Sequence, residues 1–443
     1  MAAQVAVPVS LSGRFKGSFA YFTIKDRLPQ ILTKVIDTLH RHKNEFFEEH
    51  GEKGIEAEKG AISILSKLRN ELQTDKPVLA LNDELPDSSL WNQYLEYQQT
   101  LANGNGQPSW FQSPWLYVEC YMYRRIHEAL IQNPPISNYD VFHEEKVQSF
   151  FSSQEAIIAL CTYLQELLKN IQNLDERQLQ EEFFKLIQVS LWGNKCDLSF
   201  SAGKESSQKS NLLKALEDLK SFILVDNMEN LWSLLMNCKT RTKEESTTRV
   251  DIVLDNAGFE LITDFVLADF LLSSKLATEI HFHGKCIPWY VSDTTKCDFN
   301  WTIKQLQSAN HRWMSRCGIN WEGNIKKGVW VYHDHMFWTL PHEFCNMPQV
   351  AADLYAELQK SDLIIFKGDL NYRNLTGDRK WDFTVPFHQA LNKFHPAPLC
   401  SIRTLKADIQ VGLKPGQGEQ LMTSEPEWMI IGKYGIIQFE AAL

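Results

Sequence analysis

An acidic and an amide side chain, Asp255 and Asn256, follow directly on a short, mostly β-branched run formed by Val250, Ile252, Val253 and Leu254. Gly258 comes next and is followed by a long apolar pattern with helical spacing. This order predicts a buried strand, a turn and a helix, with the pair at the carboxyl end of the strand. Ligands of open α/β sheets bind at that edge, so the pair is a candidate functional site.

Two other extended runs end near an acidic residue, one at Asp293 and one at Asp369. If these runs are parallel strands of one sheet, their acids gather at one edge. Two carboxylates and an amide oxygen form a hard oxygen site that suits Mg²⁺, Mn²⁺ or a similar divalent ion. The sequence therefore predicts a metal site at this edge.

Cationic segments adjoin the predicted acids. The segment 368–373, Gly-Asp-Leu-Asn-Tyr-Arg, offers a turn, free amides at a helix start and a guanidinium. Arg403 and Lys406 add a second cationic pair at another strand end. A single aspartate at a strand end is more often a helix cap than a metal ligand, and a single Arg or Lys there is usually a surface charge. Together, turn amides and cations beside a metal form a phosphate cradle and predict phosphoryl hydrolysis.

Two common enzyme classes fit poorly. Haloacid-dehalogenase phosphatases need Asp-x-Asp at the first strand end, and here the run reads Asp255-Asn-Ala. A nucleotide-type methyltransferase or a dinucleotide-binding enzyme needs a glycine-rich loop after its first strand. Gly258 is the one glycine at that turn, and Gly104 and Gly106 lie in a polar loop without a preceding strand.

Several other polar groups are weaker candidates for a functional site. Tyr332-His-Asp-His335, with His342-Glu343 nearby, resembles a metal cluster, but histidines in an aromatic strand are more often packing or edge residues. Glu119, Arg124 and Arg125 are predicted to form a salt-bridged helix face, with a contact to the site as the alternative.

The elements that must position these groups fall into two halves. Helical patterns dominate the first half, and strands alternate with helices after Arg249, which predicts a mostly parallel sheet covered by helices. The charged segment 239–248 marks the boundary, so we predict a helical N-terminal region at 1–245 and an α/β core at 246–443. The predicted strands are 250–254, 279–283, 287–291, 329–333, 362–366 and 398–402. The predicted helices include 115–130, 155–171, 179–191, 212–224, 228–238, 259–276 and 350–359, with a capping box at Thr23–Asp26 and a Ser113-Pro114 helix start.

Composition restricts the partners and the compartment. The 443 residues carry a formal net charge of -10, and the chain contains no Lys/Arg-rich run, which disfavours direct nucleic-acid and anionic-membrane binding. Neither a signal peptide nor a membrane-spanning run is recognisable. Nine scattered cysteines without a Cys-x-x-Cys pair indicate a reducing compartment rather than a disulfide framework or a zinc site. We therefore expect a cytoplasmic protein, with the nucleus as an alternative.

The motifs taken together resemble a known family. Asp255-Asn256 with Glu260, the segment 368–373, and Arg403-Thr404-Leu-Lys406 occur in this order in the damage-control metal phosphatases. They are most similar to the branch marked by Arg-Thr-x-Lys, whose members hydrolyse sugar phosphates such as fructose 1-phosphate and fructose 6-phosphate. The similarity covers nearly the whole chain, including Ser113-Pro-Trp and the segment 119–125.

The resemblance implies an α-β-α Rossmann-like core with a helical N-terminal region and a requirement for Mn, Co, Ni or Mg ions. It implies metal ligation by Asp255, Asn256 and Asp293, with Asp255 and Asp293 as catalytic residues. Attack on phosphorus by water and attack by Asp255 itself both stay open. The implied substrate contacts, besides Asp255 and Asn256, are Asp369, Leu370, Asn371, Tyr372, Arg373, Arg403, Thr404 and Lys406.

The same resemblance carries a second activity of a different class. This is methyl transfer from S-adenosylmethionine to carboxylates of a protein, the proliferating cell nuclear antigen, in the response to DNA damage. Glu260 and Asp293 would then belong to the donor site, although the missing glycine loop gives this no independent support. A third reading is a helical interaction protein with a vestigial site, which would release no phosphate from any sugar phosphate.

Overall fold

The structure is a computed structural model, and it describes residues 6–101, 107–193, 216–241 and 247–441. The segment 199–210 is rich in Ser, Lys and Gly, which predicts an exposed loop, and it lies outside these residues. Residues 242–246 of the predicted boundary segment also lie outside them. None of the described helices is both long enough and apolar enough to cross a membrane.

Seven strands form one sheet in the order β1-β7-β6-β5-β2-β3-β4. All neighbours are parallel except β6 and β7, which pair antiparallel. This confirms the predicted mostly parallel sheet. The strands are β1 Ile223–Asp226, β2 Arg249–Val253, β3 Glu279–His283, β4 Trp330–His333, β5 Leu363–Lys367, β6 Leu399–Thr404 and β7 Gly435–Glu440.

Helices precede the sheet and cover it on both sides. The N-terminal helices are α1 Phe19–Phe22, α2 Leu28–Arg41, α3 Lys43–His50, α4 Glu52–Gln73, α5 Ser88–Leu101, α6 Trp115–Ile131, α7 His143–Ser152, α8 Gln154–Asn170, α9 Glu176–Leu191 and α10 Met228–Lys239. The later helices are α11 Phe259–Ser273, α12 Lys296–Gln307, α13 Arg312–Lys326, α14 Met347–Val350, α15 Ala352–Leu358, α16 Gly368–Thr376, α17 Phe387–Ala390 and α18 Gln417–Ser424. Short π- or 3-10 segments lie at Thr23–Arg27, Ile171–Asn173, Met336–Thr339 and Phe344–Asn346.

Successive residues of the central strands point into two different cores. Val253 packs in a cluster with the N-terminal helices α2, α4 and α6, whereas Val250 and Ile252 pack in a cluster with α8, α9 and α11. Alternation of side chains along a strand explains this division. Both faces of β2 are therefore buried, as expected for a central parallel strand, and the face of Val253 also carries the buried ion pair of Arg249 and Asp251. The result is the α-β-α layering that the resemblance implies.

The register of the sheet places the carboxyl ends of β2, β3 and β5 side by side. Val253, the last residue of β2, pairs with Phe366 of β5 on one side and with His283 of β3 on the other. The chain therefore leaves β2 and β5 at the same edge of the sheet, two residues before Asp255 and at Gly368.

Three local predictions are wrong. Residues 287–291 form turns instead of a strand, and Tyr290 and Val291 have φ of 45° and 69°, which a strand cannot accommodate. The first helix begins at Phe19, where Ser18 accepts a hydrogen bond from the Tyr21 amide, so Thr23–Asp26 is not a capping box. Residues 223–226 belong to β1 and not to a helix ending at residue 224.

The division at residue 245 stays a prediction. β1 and α10 precede this position, yet β1 pairs with β7 at the end of the sheet. The apolar cluster around Val253 also includes side chains from the N-terminal helices and from the sheet. The sheet thus takes one strand from the N-terminal side of the predicted boundary.

Arg124 of α6 is buried and forms ion pairs with the segment that precedes α5. Its guanidinium has a side-chain exposure of 0% and lies 2.7 Å from carboxylate oxygens of both Asp83 and Asp87. Arg124→Met would leave both carboxylates without their cation, and we expect the free energy of unfolding to fall by about 3–5 kcal/mol. Denaturant unfolding measures this loss. Arg177→Met, which removes an ion pair whose arginine is 87% exposed, should change stability by less than about 0.5 kcal/mol.

Candidate active site

A cavity of about 400 Å³ lies at the carboxyl ends of β2, β5 and β6, bounded by α6 and the end of α9. Both the sheet and the helical half contribute to its wall. The lining side chains and backbone come from Arg27, Trp115, Glu119, Ser190, Leu191, Trp192, Gly193, Asp255, Asn256, Glu260, Tyr290, Ser292, Asp293, Gly368, Asp369, Leu370, Arg373, Ile402, Thr404, Lys406, Ile431 and Gly432.

A loop, and not a strand, brings Asp293 to Asp255 and Asn256. Asn256 and Asp293 form an isolated antiparallel bridge. The Thr294 amide donates to the Asp255 carbonyl at 2.8 Å, and the Ala257 amide donates to the Ser292 carbonyl at 2.8 Å. The segment after β3 therefore adds itself to the end of β2. The three predicted ligands come together, although by a route that the sequence did not predict.

Three carboxylates meet at this end of the cavity, those of Asp255, Glu260 and Asp293. The Asn256 side-chain amide donates to Asp255 and to Glu260, each at 2.8 Å. Burial, together with the charges of Glu260 and Asp293, raises the pKa of Asp255 well above its ordinary value. Burial also raises the pKa of Asp293 to about 6, against the opposing effect of the Lys285 ammonium. Lys285 lies 3.5 Å from Asp293 and Lys367 lies 3.4 Å from Glu260, whereas Asp255 has no ion pair within 4.0 Å among the described residues.

This donor set fits a divalent cation. Asp255, Asn256 and Asp293 offer two carboxylates and one amide oxygen, and hard cations such as Mg²⁺ and Mn²⁺ prefer these ligands. A bound cation would also relieve the repulsion that raises the pKa of Asp255. Gly368 leaves the space beside Asp255 open, since a Cβ there would lie 1.9 Å from Asp255 Oδ2.

The opposite side of the cavity fits an anion. Helix α16 begins at Gly368, and the N-terminal amides of a helix bind phosphate well. The Asp369 carboxylate accepts from the Arg403 side chain at 2.7 Å and from the Lys406 amide at 3.0 Å, which fixes the 403–406 segment against the helix start. The Lys406 side chain is exposed and forms no ion pair within 4.0 Å in the described part of the chain. Its ammonium is therefore available to a ligand.

Three of the predicted substrate contacts do not line the cavity. Asn371 donates to the backbone carbonyls of Val253, Leu254 and Lys367, and it thereby joins α16 to the end of β2. Tyr372 is fully buried and donates to Gln438 of β7 at 3.2 Å. Arg403 is buried over the Tyr372 ring, with its guanidinium carbon 4.1 Å from the ring centroid. These side chains support the cavity wall. Leu370 and Thr404 line the cavity as expected.

Arg373 lines the cavity, but its positive charge is already paired with carboxylates of the protein. Its guanidinium donates to Glu119 at 2.7 Å and to both oxygens of Asp378 at 3.0 Å, and it stacks on Trp115. The prediction that Glu119 belongs to a helix-face salt bridge is wrong, since Glu119 faces the cavity and pairs across the fold. Arg373 consequently offers a ligand less positive charge than Lys406 does.

Several lining residues escaped the sequence analysis. Arg27 comes from the π-helical turn before α2, and Trp192 and Gly193 follow α9. Tyr290 and Ser292 belong to the loop that was predicted as a strand, and the Ser292 hydroxyl donates to the Asn256 amide oxygen. Their positions depend on packing between distant segments. In the sequence, only the proximity of Ser292 to Asp293 points to any of them.

Comparisons with known proteins agree with this geometry. The sequence profile described as "Damage-control phosphatase ARMT1-like domain" matches residues 23–421. Damage-control phosphatase ARMT1 of Homo sapiens is 70% identical over 441 residues, which is 99% of this chain and 100% of that protein. The protein of the same name from Danio rerio is 63% identical over 98% of this chain and 97% of that protein.

A solved structure also shows similarity. The crystal structure of a DUF89 family protein from Pyrococcus horikoshii aligns with a TM-score of 0.40 and 16% sequence identity. The alignment covers 74% of this chain and 86% of that chain.

Proposed function

Because the chain belongs to the damage-control phosphatase ARMT1-like family, we propose that its cavity hydrolyses phosphate monoesters of small sugars, of the fructose 1-phosphate and fructose 6-phosphate type, with a divalent metal ion. One observation carries the proposal. A buried carboxylate without an ion pair, Asp255, lies beside two further acids, and it shares one cavity of about 400 Å³ with a helix start and the free ammonium of Lys406. That volume suits a small ligand.

Asp255, Asn256 and Asp293 would hold the metal ion. When bound, such an ion neutralises charge on the phosphate and lowers the pKa of water. The amide donors of Asn256 keep the carboxylates of Asp255 and Glu260 oriented, and Lys285 offsets part of the charge of Asp293 at 3.5 Å. These contacts hold the acids in place.

The remaining residues bind and orient the ester. The first amides of α16 and the Lys406 ammonium face the phosphate oxygens, where negative charge develops in the transition state. Trp115, Trp192 and Tyr290 supply large side chains that shield the reacting atoms from bulk water. Attack at phosphorus forms one P–O bond and breaks the P–O bond to the sugar, which leaves as the alcohol after taking a proton. Water and the Asp255 carboxylate both stay open as the attacking group.

Metal removal tests the proposal directly. Chelated protein should release no phosphate from fructose 1-phosphate or fructose 6-phosphate, and Mn²⁺, Co²⁺ or Ni²⁺ should restore the activity, because the acid cluster then regains its counter-charge. Phosphate release is measured over a panel of metals and sugar phosphates. Full activity of the chelated protein would contradict the metal requirement. No release with any combination would instead support the vestigial-site reading.

Lys406 is expected to contribute to substrate binding and to the transition state. Lys406→Met removes the free ammonium, and we expect kcat/KM for sugar phosphates to fall by about ten- to a hundredfold, as for one charge-assisted hydrogen bond. Steady-state kinetics measure the loss. Lys414→Met removes an exposed ammonium outside the cavity and should leave kcat/KM unchanged. Equal kinetics for both variants would exclude Lys406 from the phosphate site.

The methyl-transfer activity, its S-adenosylmethionine donor and the proliferating cell nuclear antigen as partner stay predictions from the resemblance. Glu260 and Asp293 do lie together in the cavity, but hydrolysis of a phosphate ester uses the same position. A labelled methyl donor would give base-labile label on acidic residues of the partner if this activity exists, and Asp255→Ala should abolish it. The cytoplasmic or nuclear location likewise stays a prediction.

A further inference from the structure

Away from the cavity, two imidazoles and a carboxylate meet on one face of the sheet. His281 of β3 and His333 of β4 approach with Nδ1 and Nε2 2.8 Å apart, and Glu357 of α15 lies beside them. One ligand atom from each residue lies within 4.8 Å of the other two. His281 is level with Asp251 in the register of the sheet, and Asp251 precedes Asp255 by about 13 Å along an extended chain. The group is therefore distinct from the catalytic cavity.

The two imidazoles are available as metal ligands. Burial lowers the pKa of both His281 and His333 to about 4, so both rings are neutral near pH 7. The other nitrogen of His281, Nε2, lies 3.9 Å from a Glu279 oxygen. Metal-binding histidines usually direct their second nitrogen at a carboxylate, which fixes the ring orientation. At 3.9 Å Glu279 is near His281 but does not accept a hydrogen bond from it.

Further polar groups surround the pair. The neighbouring His283 stacks on His333 with ring centroids 4.8 Å apart and donates a hydrogen bond from Nε2 to the Asp251 carboxylate at 2.7 Å. Its Nδ1 is buried and has no hydrogen-bond partner in the described part of the chain. This nitrogen is not one of the three grouped ligand atoms of the cluster.

Glu357 keeps its charge in this position. Lys360 and Arg249 each donate to it at 2.6 Å, and they lower the pKa of Glu357 to about 2 against the effect of burial. A carboxylate has about four lone-pair positions, so two donors leave room for a metal bond. The side chain of Glu357 is 29% exposed, which gives an ion access from solvent.

A second cluster of possible metal ligands differs from the histidine cluster in its surroundings. The ligand atoms of Asp140, His143 and Asp298 also lie within 4.8 Å of one another. Here the Lys146 ammonium lies 2.7 Å from both carboxylates and already supplies the cation. In the histidine cluster the cations Lys360 and Arg249 contact Glu357, whereas the ligand nitrogens of His281 and His333 contact each other at 2.8 Å. The two imidazole nitrogens therefore distinguish this cluster from the one that Lys146 neutralises.

We propose that His281, His333 and Glu357 form a second metal site, which binds Zn²⁺ or a chemically similar first-row ion. Two imidazole nitrogens and one carboxylate oxygen are a ligand set that zinc accepts, with water in the fourth position. The oxygen-rich cavity around Asp255 favours harder ions, so the two sites differ in preference. An ion at the second site connects β3, β4 and α15 and thereby stabilises this side of the sheet. The inference does not depend on the proposed phosphatase activity.

The test counts bound zinc on the full-length protein. Chelated wild type and the variants His281→Gln, His333→Gln and Glu357→Gln are equilibrated with Zn²⁺ and freed of loose metal. Elemental analysis should find one more zinc per chain in the wild type than in either histidine variant. Zinc X-ray absorption of the wild type should show imidazole scattering that both variants lose. For Glu357→Gln we expect a zinc affinity at least about tenfold weaker, as for loss of one ligand.

Controls separate metal loss from misfolding. His335→Gln alters a neighbouring imidazole that pairs with Asp353 at 3.2 Å but lies outside the cluster, and its zinc content should equal that of the wild type. Glu357→Gln replaces a partly exposed side chain with one of the same shape, so it decides the matter if a histidine variant fails to fold. Equal zinc content and equal absorption spectra in wild type and folded variants would overturn the proposal. A wild type without imidazole-bound zinc would do the same.

Discussion

Asp255→Asn should reduce kcat/KM for sugar-phosphate hydrolysis by at least about a thousandfold. The substitution removes a carboxylate from the proposed metal site and should weaken metal binding. It also removes the side chain that we propose, as the alternative to water, for attack on phosphorus. A thousandfold corresponds to about 4 kcal/mol, which is within the range for losing metal-assisted charge stabilisation. Steady-state kinetics with saturating metal measure the effect, and metal titration of the variant should show weaker binding.

The melting temperature of Asp255→Asn distinguishes a loss of catalysis from misfolding. The pKa of Asp255 is raised because its ionised form is unfavourable beside Glu260 and Asp293 in the folded protein. A neutral asparagine relieves that repulsion, so the metal-free variant should melt at the same temperature as the wild type or higher. A lower Tm together with lost activity would point to a structural role for Asp255 instead.

A matched control asks whether any strand-end aspartate has this effect. Asp226 ends β1, is exposed, and accepts a hydrogen bond from the Met228 amide at 3.1 Å, as a helix-capping residue does. Asp226→Asn should leave kcat/KM within about twofold and cost at most about 1 kcal/mol of stability. Each aspartate follows a short apolar run in the sequence. The acidic neighbours in the fold distinguish them.

Much of the fold could be predicted because its central strands are simple. β2, β3 and β5 are short buried runs that end at polar residues, and the pattern after Asp255 is plainly helical. Parallel pairing then aligns the strand ends, so Asp255 and Gly368 had to be neighbours. β1 and β7 escaped prediction, since β1 directly follows a helical pattern and lies partly exposed at the sheet end.

The rest of the site depends on contacts that sequence spacing does not contain. Asp293 reaches Asn256 through a loop with two left-handed residues, and an apolar run at 287–291 gave no sign of it. Arg373 forms ion pairs with Glu119 of α6 and with Asp378. Because Glu119 is distant in sequence, these pairs can be recognised only in the folded structure. The same holds for His281 and His333, which are 52 positions apart and meet by strand pairing.

Gly368→Ala should abolish most activity while the protein stays folded. Gly368 has φ of +83°, and a Cβ there would lie 1.9 Å from Asp255 Oδ2 and 2.2 Å from its Cγ. The Asp255 carboxylate must therefore move, and a misplacement of about 1 Å at a reacting group costs about a hundredfold in rate. We expect kcat/KM to fall by at least about that factor, and kinetics at saturating metal measure it.

Gly416→Ala separates the two consequences of the added methyl group. Gly416 has φ of +81°, nearly the value of Gly368, but a Cβ there would meet no atom within 4 Å. Both variants should lose about 1–2 kcal/mol of stability, because alanine is strained in the left-handed region. Only Gly368→Ala should lose activity as well. If both variants lost activity equally, backbone strain would be the cause. If neither did, the carboxylate of Asp255 would have room to move without consequence, and its proposed part in the reaction would be wrong.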